Sequence, residues 1–248
     1  MFSLAGRRAL VTGSTRGIGR TIAEAMIAAG ASVVISSENA EDTARVAGEL
    51  GQTGIACDVT DDAALAALVD GTVAALGGLD ILVCNAGITG KPGPFAGIDM
   101  GDYARVMAIN LRSQVVLANL AAPHLAQRQG NAIFIASLSG LRGNGAINAY
   151  ALAKAGVAQL ARNLAVEWGP KGVRANALSP GFIATELSAP LLANEAFMAR
   201  RMGMTPLRRA GTPQEVAGAA VFLASAAGGF VTGHNLVVDG GTLITDGS

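Results

Sequence analysis

Charged residues are scarce in this sequence, and so are clusters of like charge. Only 15% of the 248 residues are charged, and 18 Lys and Arg balance 18 Asp and Glu. A surface that follows a nucleic-acid backbone needs clustered cations, so we expect no nucleic-acid partner. Because globular proteins usually carry about 25% charged residues, part of this surface is expected to be buried against other subunits.

Long apolar runs are also missing, although 51% of the residues are hydrophobic and the mean hydropathy is +0.43. The longest weakly polar stretch, 219–231, is interrupted by Ser225 and two glycines. A bilayer span needs about 20 consecutive apolar residues. No apolar segment typical of an export signal follows Arg7 and Arg8. We therefore expect a cytoplasmic protein with no membrane contact.

Cysteine and histidine are rare, with two of each. Cys57 and Cys84 lack the close spacing of zinc-binding or redox pairs. The sequence therefore predicts two buried, reduced thiols, without a disulfide and without a bound metal.

Short apolar runs instead alternate with longer helical patterns from end to end. Runs that are apolar at every position are typical of strands buried on both faces of a parallel sheet. The predicted strands are 8–12, 32–37, 54–57, 79–84, 131–137, 173–178 and 235–238. The predicted helices are 18–29, 40–50, 61–76, 102–127, 149–168 and 212–224. With no linker tract and no repeat, this alternation predicts one α/β domain over residues 1–248, built on a doubly wound, seven-stranded parallel sheet.

Two of these helices, 102–127 and 149–168, carry apolar residues on nearly all sides. A helix of this kind is buried on more than one face. In a single α/β domain, another subunit is what remains to cover the outer face, so we expect a homo-oligomer, a tetramer or a dimer. Pro123 predicts a kink or an end within the first of the two helices.

Glycines cluster between the first predicted strand and the first predicted helix, where Gly13, Gly17 and Gly19 follow the spacing G-x-x-x-G-x-G. Glycine allows a tight turn and lets a pyrophosphate approach the amide groups at a helix N-terminus. Glycine-rich turns are common for other reasons, but this position in the chain favours a dinucleotide site over a plain turn.

Tyr150 and Lys154 are four residues apart and therefore share one helix face. A free phenol, with a pKa of about 10, is a weak acid–base catalyst at neutral pH, and a nearby ammonium lowers that pKa. Ser137 ends a predicted strand at the sheet edge where ligands bind. The alternative is structural: a tyrosine at the rim of the core, a solvated lysine and a turn serine.

Together these residues resemble the short-chain dehydrogenase/reductase family, and the match continues in order along nearly the whole chain. The matching motifs are residues 12–19, Asp58-Val59, Asn85-Ala86-Gly87, Asn110, Ser137, Tyr150 with Lys154, Pro180-Gly181 with Thr185, and Asp239-Gly240-Gly241. The resemblance implies a Rossmann-type fold and an NAD(P)-dependent oxidoreductase that interconverts a secondary alcohol and a ketone.

The resemblance also implies a role for each matching residue. Tyr150 would be the acid/base, Ser137 would stabilise charge on the substrate oxygen, and Lys154 would hold the nicotinamide ribose and lower the pKa of the tyrosine. Asn110 would anchor a water that links Lys154 to solvent, unless it is an ordinary buried Asn bonded to backbone. The expected cofactor contacts are Gly13, Thr15, Arg16, Gly17, Ile18, Gly19, Ser37, Glu38, Asp58, Val59, Asn85, Ala86, Gly87, Tyr150, Lys154, Pro180, Gly181, Ile183 and Thr185.

The residues after the second strand, Ser36-Ser37-Glu38, bear on the choice between NAD and NADP. The carboxylate of Glu38 accepts hydrogen bonds from ribose hydroxyls and repels a 2′-phosphate. Arg16 and Ser37 are residue types that bind a 2′-phosphate. The sequence favours NAD(H) and leaves NADP(H) open.

The substrate is a small molecule that the sequence does not name. Three segments are expected to wall its pocket: 88–98, 138–148, with Arg142, Asn144 and Asn148, and a variable apolar lid at about 186–207. One alternative is a 3-oxoacyl-(acyl-carrier-protein) reductase, whose acidic partner would need a basic rim; the candidates are Arg128, Arg142, Lys171 and Arg174. Another is a non-catalytic nucleotide-binding sensor on the same fold.

Overall fold

One parallel sheet forms the centre of the protein, whose structure, a computed structural model, describes residues 1–245. The strands are β1 (Arg8–Thr12), β2 (Ser32–Ser36), β3 (Thr53–Gly54), β4 (Ile81–Cys84), β5 (Asn131–Ile135), β6 (Arg174–Pro180) and β7 (Asn235–Val238). They lie in the order β3-β2-β1-β4-β5-β6-β7, and every neighbouring pair is parallel. The predicted seven-stranded sheet is confirmed. Its order reverses between β1 and β4, which is where open α/β sheets bind ligands.

Helices cover both faces of the sheet. They are α1 (Gly17–Ala28), α2 (Ala40–Leu50), α3 (Asp62–Leu76), α4 (Met100–Met107), α5 (Ser113–Arg128), α6 (Asn148–Trp168), α7 (Ala189–Leu192), α8 (Glu195–Gly203) and α9 (Pro213–Ala224). Helices α1 and α9 pack together on one face, whereas α3, α5 and α6 cover the other.

Alternate residues of the central strands enter two separate cores. On β1, Leu10 belongs to the core beneath α3, α5 and α6, and Val11 belongs to the core beneath α1 and α9. On β4, Leu82 and Val83 divide in the same way. Successive strand side chains point to opposite faces, so strands apolar at every position suit a sheet covered on both sides.

The largest departure from the predicted elements lies in the segment 102–127. The segment is two α-helices, α4 and α5, separated by a π-helical turn at Ala108–Arg112. Of the two outcomes predicted at Pro123, a kink or an end, the end is wrong, because α5 continues through this residue to Arg128. Pro123 and Asn119 are both exposed, so water can satisfy the carbonyl left without a donor.

Smaller differences concern strand ends. The predicted strand 54–57 reduces to Thr53–Gly54, because this edge strand has one neighbour and only single bonds, such as Cys57 N–H to Ser37 O at 2.9 Å, continue beyond it. Strand β5 stops at Ile135, so Ser137 lies just past the strand end, and β6 extends to Pro180.

Both cysteines, Cys57 and Cys84, are buried and free. Within residues 1–245, the helices are too short or too polar for any of them to cross a membrane.

Candidate active site

The glycine-rich segment forms a sharp turn between β1 and α1. Gly13 and Gly17 have φ angles of +63° and +55°, in the left-handed region that glycine adopts without strain. The Cβ atom of any larger residue at Gly13 would lie 3.0 Å from both Ala86 Cα and Asn85 Nδ2. The turn therefore brings the first strand against the residues that follow β4.

The N-terminus of α1 is open. Its N-cap residue, Arg16, is extended and provides no side-chain cap, and the first turn contains no acidic residue. Helices α2 and α3, by contrast, are capped by Asn39 and Asp61. Uncapped amide groups and the positive end of the helix dipole attract an anion, and the glycines let it approach. The segment therefore fits a dinucleotide pyrophosphate.

Hydrogen bonds fix this cradle to the end of β4. Asn85 Nδ2 donates to the carbonyls of Thr12 and Gly13 at 2.9 and 3.0 Å. Thr12 Oγ1 accepts from the backbone N–H groups of Asn85 and Ala86 at 3.1 and 3.2 Å. Gly19 is buried where a Cβ atom would overlap the Gly13 carbonyl and Asn85 Nδ2. Thr12 was not among the predicted site residues, although its position at the strand end was visible in the sequence.

The end of β2 is tied to the same turn. Ser36 N–H donates to Ser14 Oγ at 2.9 Å. Ser37, a predicted cofactor contact, is buried, and its hydroxyl lies 3.0 Å from Thr43 Oγ1 and 3.3 Å from the Asn39 carbonyl. This hydroxyl is therefore hydrogen-bonded within the chain. Glu38 is exposed beside it.

Asp58 and Val59 follow β3 at the same edge of the sheet. Asp58 Oδ1 accepts from the backbone N–H and the hydroxyl of Thr60 at 2.9 and 2.8 Å, and these bonds hold the pKa of the exposed carboxyl below its usual range. Val59 is half-buried and packs against the core.

Ser137 and Tyr150 meet beyond the end of β5. Ser137 is the N-cap of a short 3-10 turn, Leu138–Gly140, and its Oγ accepts from Ser139 N–H at 3.1 Å. Tyr150 lies in the first turn of α6. Burial raises the pKa of the Tyr150 phenol, and the nearby Ser137 hydroxyl opposes this effect. The two hydroxyl groups can therefore contact one substrate oxygen.

Lys154 lies one helical turn after Tyr150 and is almost completely buried. Its Nζ donates to the Ile135 carbonyl at 2.6 Å and lies 5.5 Å from the centroid of the Tyr150 ring. Burial lowers the pKa of Lys154 to about 8. An ammonium held here has two further donors available for neighbouring hydroxyl groups.

Asn110 lies within the π-helical turn, and its side chain is fully engaged with backbone groups. Its Nδ2 donates to the carbonyls of Ile88 and Val106, both at 2.9 Å, and its Oδ1 accepts from Ile88 N–H at 3.2 Å. A Cβ atom at Gly87 would lie 2.5 Å from Asn110 Oδ1 and 3.6 Å from Lys154 Nζ. Asn110, Gly87 and Lys154 are therefore neighbours, and the Asn110 side chain is bonded to backbone groups.

Residues after β6 complete this edge. Ile183 is buried, and its segment is joined to Gly211 by an isolated parallel bridge. A Cβ atom at Gly17 would lie 3.9 Å from Thr185, so the turn after β6 reaches the glycine cradle. Within residues 1–245, no group of three metal-ligating side chains accompanies the site.

Known proteins are similar to this chain over most of its length. A family model described as enoyl-(acyl carrier protein) reductase matches residues 13–242. The 7alpha-hydroxysteroid dehydrogenase of Escherichia coli K12 is 38% identical, with 96% of this chain and 94% of the relative covered.

Two solved structures are similar over almost their whole length. A gluconate 5-dehydrogenase from Burkholderia cenocepacia, in complex with NADP and tartrate, has a TM-score of 0.94 and 38% identity, covering 98% of both chains. A 7 alpha-hydroxysteroid dehydrogenase, complexed with NADH and 7-oxo glycochenodeoxycholic acid, has a TM-score of 0.91 and 38% identity, covering 97% of this chain and 95% of the other. The chain therefore belongs to the short-chain dehydrogenase/reductase family and is an NAD(P)-dependent oxidoreductase acting on CH–OH groups.

Proposed function

We propose that Tyr150 is the acid/base residue for the interconversion of a secondary alcohol and a ketone. The observation that carries this proposal is the placement of Ser137 just beyond the end of β5 and of Tyr150 and Lys154 one turn apart on α6, with Lys154 Nζ 5.5 Å from the centroid of the phenol ring. The bound nicotinamide supplies or accepts the hydride. The decisive test is turnover by a Tyr150→Phe variant that still binds the cofactor.

The chain's own residues manage the substrate oxygen and its proton. On reduction, Tyr150 donates its phenolic proton to the carbonyl oxygen, and on oxidation the phenolate removes the alcohol proton. Ser137 Oγ donates a hydrogen bond to the same oxygen and stabilises the charge that develops there. Lys154 stabilises the phenolate. Its two N–H groups that are not bonded to the Ile135 carbonyl bind the nicotinamide ribose hydroxyls.

Asn110 acts as a positioning residue in this proposal. Its amide holds Ile88 and Val106, and thereby the segment after β4 that lies beside Lys154. Both Nδ2 protons are engaged, so a relay water at this point would be held by the second lone pair of Asn110 Oδ1 or by a main-chain group of the π-helical turn.

The proposed cofactor contacts extend from the glycine cradle to the turn after β6. Thr15, Gly17 and Ile18, at the uncapped start of α1, would hold the pyrophosphate. Asp58 and Val59, at the carboxyl end of β3, would contact the adenine, and residues 85–87 would line the cleft. Residues 180–185, which reach the cradle through Gly17 and Thr185, would hold the nicotinamide.

The cofactor is proposed to be NAD(H) in preference to NADP(H). Glu38 is exposed at the end of β2, and the hydroxyl of Ser37 is bonded within the chain, which favours two free ribose hydroxyls over a 2′-phosphate. Arg16 is exposed nearby and is the one cofactor-site cation that favours NADP. Of the solved relatives above, one binds NADP and the other binds NADH, so both cofactors occur among similar proteins.

A Glu38→Arg variant is expected to shift the ratio of the NADH to the NADPH dissociation constant towards NADPH by tenfold or more, because one change removes a repelling carboxylate and adds a phosphate ligand. Titration followed by nucleotide fluorescence measures both constants. Glu167→Arg, at an exposed position near the end of α6, matches the change in net charge and should leave the ratio unaltered. An unchanged ratio in Glu38→Arg would show that another group selects the cofactor.

A small ketone or alcohol fits the site better than an acyl-carrier substrate. Three of the four proposed rim cations lie where strands of the sheet begin. Arg128 ends α5, shortly before β5, Lys171 precedes β6, and Arg174 is the first residue of β6. In a parallel sheet this edge is opposite the one at which Ser137 lies. Arg174 is directed into the protein, where it donates to the carbonyls of Gly228 and Val231.

The segment 186–207 is proposed to cover the substrate as a lid. It contains α7 and α8 and exposes Leu187 and Leu191. The chain just before this segment is hydrogen-bonded to the chain just after it: Ala184 N–H donates to Gly211 O at 2.8 Å, and Gly211 N–H donates to Phe182 O at 3.0 Å. A flap anchored in this way opens without separating from the sheet.

The protein is proposed to be a homo-oligomer, a tetramer or a dimer, that functions in the cytoplasm. Leu152 and Val166 of α6 are 48% and 81% exposed, and Val115 of α5 is 39% exposed. Apolar side chains on the outer faces of these two helices favour burial against a second copy.

Sedimentation velocity at micromolar concentration is expected to show the wild-type protein as an oligomer. A double variant, Val115→Glu with Leu152→Glu, should dissociate it, because each change places a carboxylate in an apolar interface. Phe95→Glu, at another exposed apolar position, is the control and should leave the sedimentation coefficient unaltered. A monomeric wild-type protein would overturn the proposal.

A further inference from the structure

Two arginines beside the substrate pocket have no bonded partner. Most arginines within residues 1–245 donate to a carboxylate or a carbonyl oxygen; Arg7, Arg112 and Arg174 are examples. Arg142 and Arg201, within the same described part of the chain, form neither a salt bridge nor a side-chain hydrogen bond, although both are half-buried. The Nε of Arg201 is fully buried and unpartnered. A buried cation without a partner loses solvation that nothing in the chain replaces.

Arg201 is held above the end of β6. Its guanidinium lies 5.8 Å from the centroid of Phe182, which directly follows Pro180 and Gly181. Phe197, one helical turn before Arg201 on α8, packs against Phe182 with ring centroids 5.4 Å apart. The aromatic pair therefore directs this lid residue towards the edge of the sheet that carries Ser137.

Arg142 lies between Ser137 and Tyr150 in the chain. It follows the 3-10 turn that Ser137 begins and precedes α6, which carries Tyr150. Burial lowers the pKa of Arg201, repulsion from the Arg142 guanidinium lowers it further, and Asp239 opposes both effects.

Asp239 offsets these two charges only in part. It follows β7, next to Gly181, and its carboxylate already accepts the backbone N–H groups of Gly241 and Leu243 at 2.8 and 2.6 Å. Arg142, Arg201 and Asp239 together carry a net charge of +1, in addition to the Lys154 ammonium beside Tyr150. A single negative charge balances this group, whereas a phosphate dianion exceeds it.

We propose that Arg142 and Arg201 bind a carboxylate of the substrate, so that the enzyme acts on a hydroxy acid and the corresponding oxo acid. This inference rests on the proposed function, because it places the carboxylate beside the oxygen that Tyr150 and Ser137 contact. Guanidinium groups bind carboxylates through paired, charge-assisted hydrogen bonds. Since Arg201 belongs to the lid, a bound carboxylate also draws α8 over the pocket.

Binding without turnover tests this assignment. The probes are cyclohexanecarboxylate, cyclohexanecarboxamide and cyclohexyl phosphate, titrated by calorimetry into protein loaded with the oxidised nicotinamide cofactor that it binds more tightly. The carboxylate is expected to bind about 10- to 100-fold more tightly than the amide. Arg142→Gln and Arg201→Gln should each abolish most of that difference, and Arg201→Lys should retain part of it.

Arg200→Gln is the matched control, because Arg200 lies next to Arg201 on α8 but is exposed. It should retain the full preference for the carboxylate. Equal binding of the carboxylate and the amide, no binding of either, or an unchanged preference in both glutamine variants would overturn the proposal. Tighter binding of the phosphate ester would overturn the choice of a carboxylate. Failure of the Tyr150 mechanism remains distinguishable, since it changes turnover and leaves this binding preference intact.

Discussion

A Tyr150→Phe variant is expected to lose turnover by a factor of about 10³ in both directions while it binds the cofactor as tightly as the wild-type protein. Removing a positioned acid–base group costs about 10²–10⁴ in rate. The substitution deletes one oxygen and retains the ring, so Lys154, 5.5 Å from the ring centroid, keeps its surroundings and its bond to Ile135. Steady-state kinetics with a nicotinamide cofactor and a panel of hydroxy and oxo acids measures the loss, and fluorescence titration measures cofactor binding.

The matched control is Tyr103→Phe, which deletes the hydroxyl of the other tyrosine, on α4. It should retain turnover. In the wild-type protein, oxidation is expected to accelerate as pH rises, because it needs the phenolate, and reduction is expected to slow down, because it needs the phenol; burial raises the pKa of Tyr150 and moves both effects to higher pH. Undiminished turnover in Tyr150→Phe would refute the proposed mechanism.

A Gly19→Ala variant is expected to lose most of its cofactor affinity and about 1–3 kcal/mol of its free energy of unfolding. The new methyl group would overlap the Gly13 carbonyl oxygen and Asn85 Nδ2, which are bonded to each other at 3.0 Å. Neither neighbour can move easily, because one is the Gly13 backbone and the other is the Asn85 amide, which donates two hydrogen bonds. The cradle would therefore open, and the residues after β4 would move away from it.

Gly48→Ala provides the comparison. Gly48 also lies within an α-helix, α2, but a Cβ atom there would have no neighbour within 4 Å. This variant should gain about 0.5–1 kcal/mol, the usual difference between alanine and glycine in a helix, and should bind the cofactor normally. Urea unfolding and fluorescence titration of both variants separate the two outcomes. Equal stability and equal cofactor affinity in both would show that the cradle tolerates a side chain at Gly19.

The parts of the site changed by Tyr150→Phe and by Gly19→Ala differ in how far the sequence alone predicts them. The spacing of Tyr150 and Lys154 on one helix face is a local property, and the structure has both residues on α6 as predicted. The overlap at Gly19 arises between residues from different elements, so no local pattern reveals which of 33 glycines lack space for a methyl group.

Ser37 and Asn110 illustrate the same limit. A serine after a strand suggested a phosphate contact, but the chain bends at Asn39 and brings Thr43 within 3.0 Å of the hydroxyl. The amide of Asn110 is engaged by Ile88, which is 22 residues earlier in the chain. In both cases the tertiary fold determines which group forms a hydrogen bond with the side chain. The residues next to it in the sequence do not specify that group.

Local pattern alone determined the alternation of strands and helices, the number of strands, the glycine turn before α1 and the pairing of Tyr150 with Lys154. Each depends on a period of about two or four residues or on the conformational freedom of glycine, and these act within a few residues. Only the tertiary structure decided that α5 continues through Pro123, that three predicted rim cations lie at the opposite edge of the sheet, and that Arg201 lies over the Phe182 ring. These results depend on contacts between distant segments, where burial and charge act through space and not along the chain.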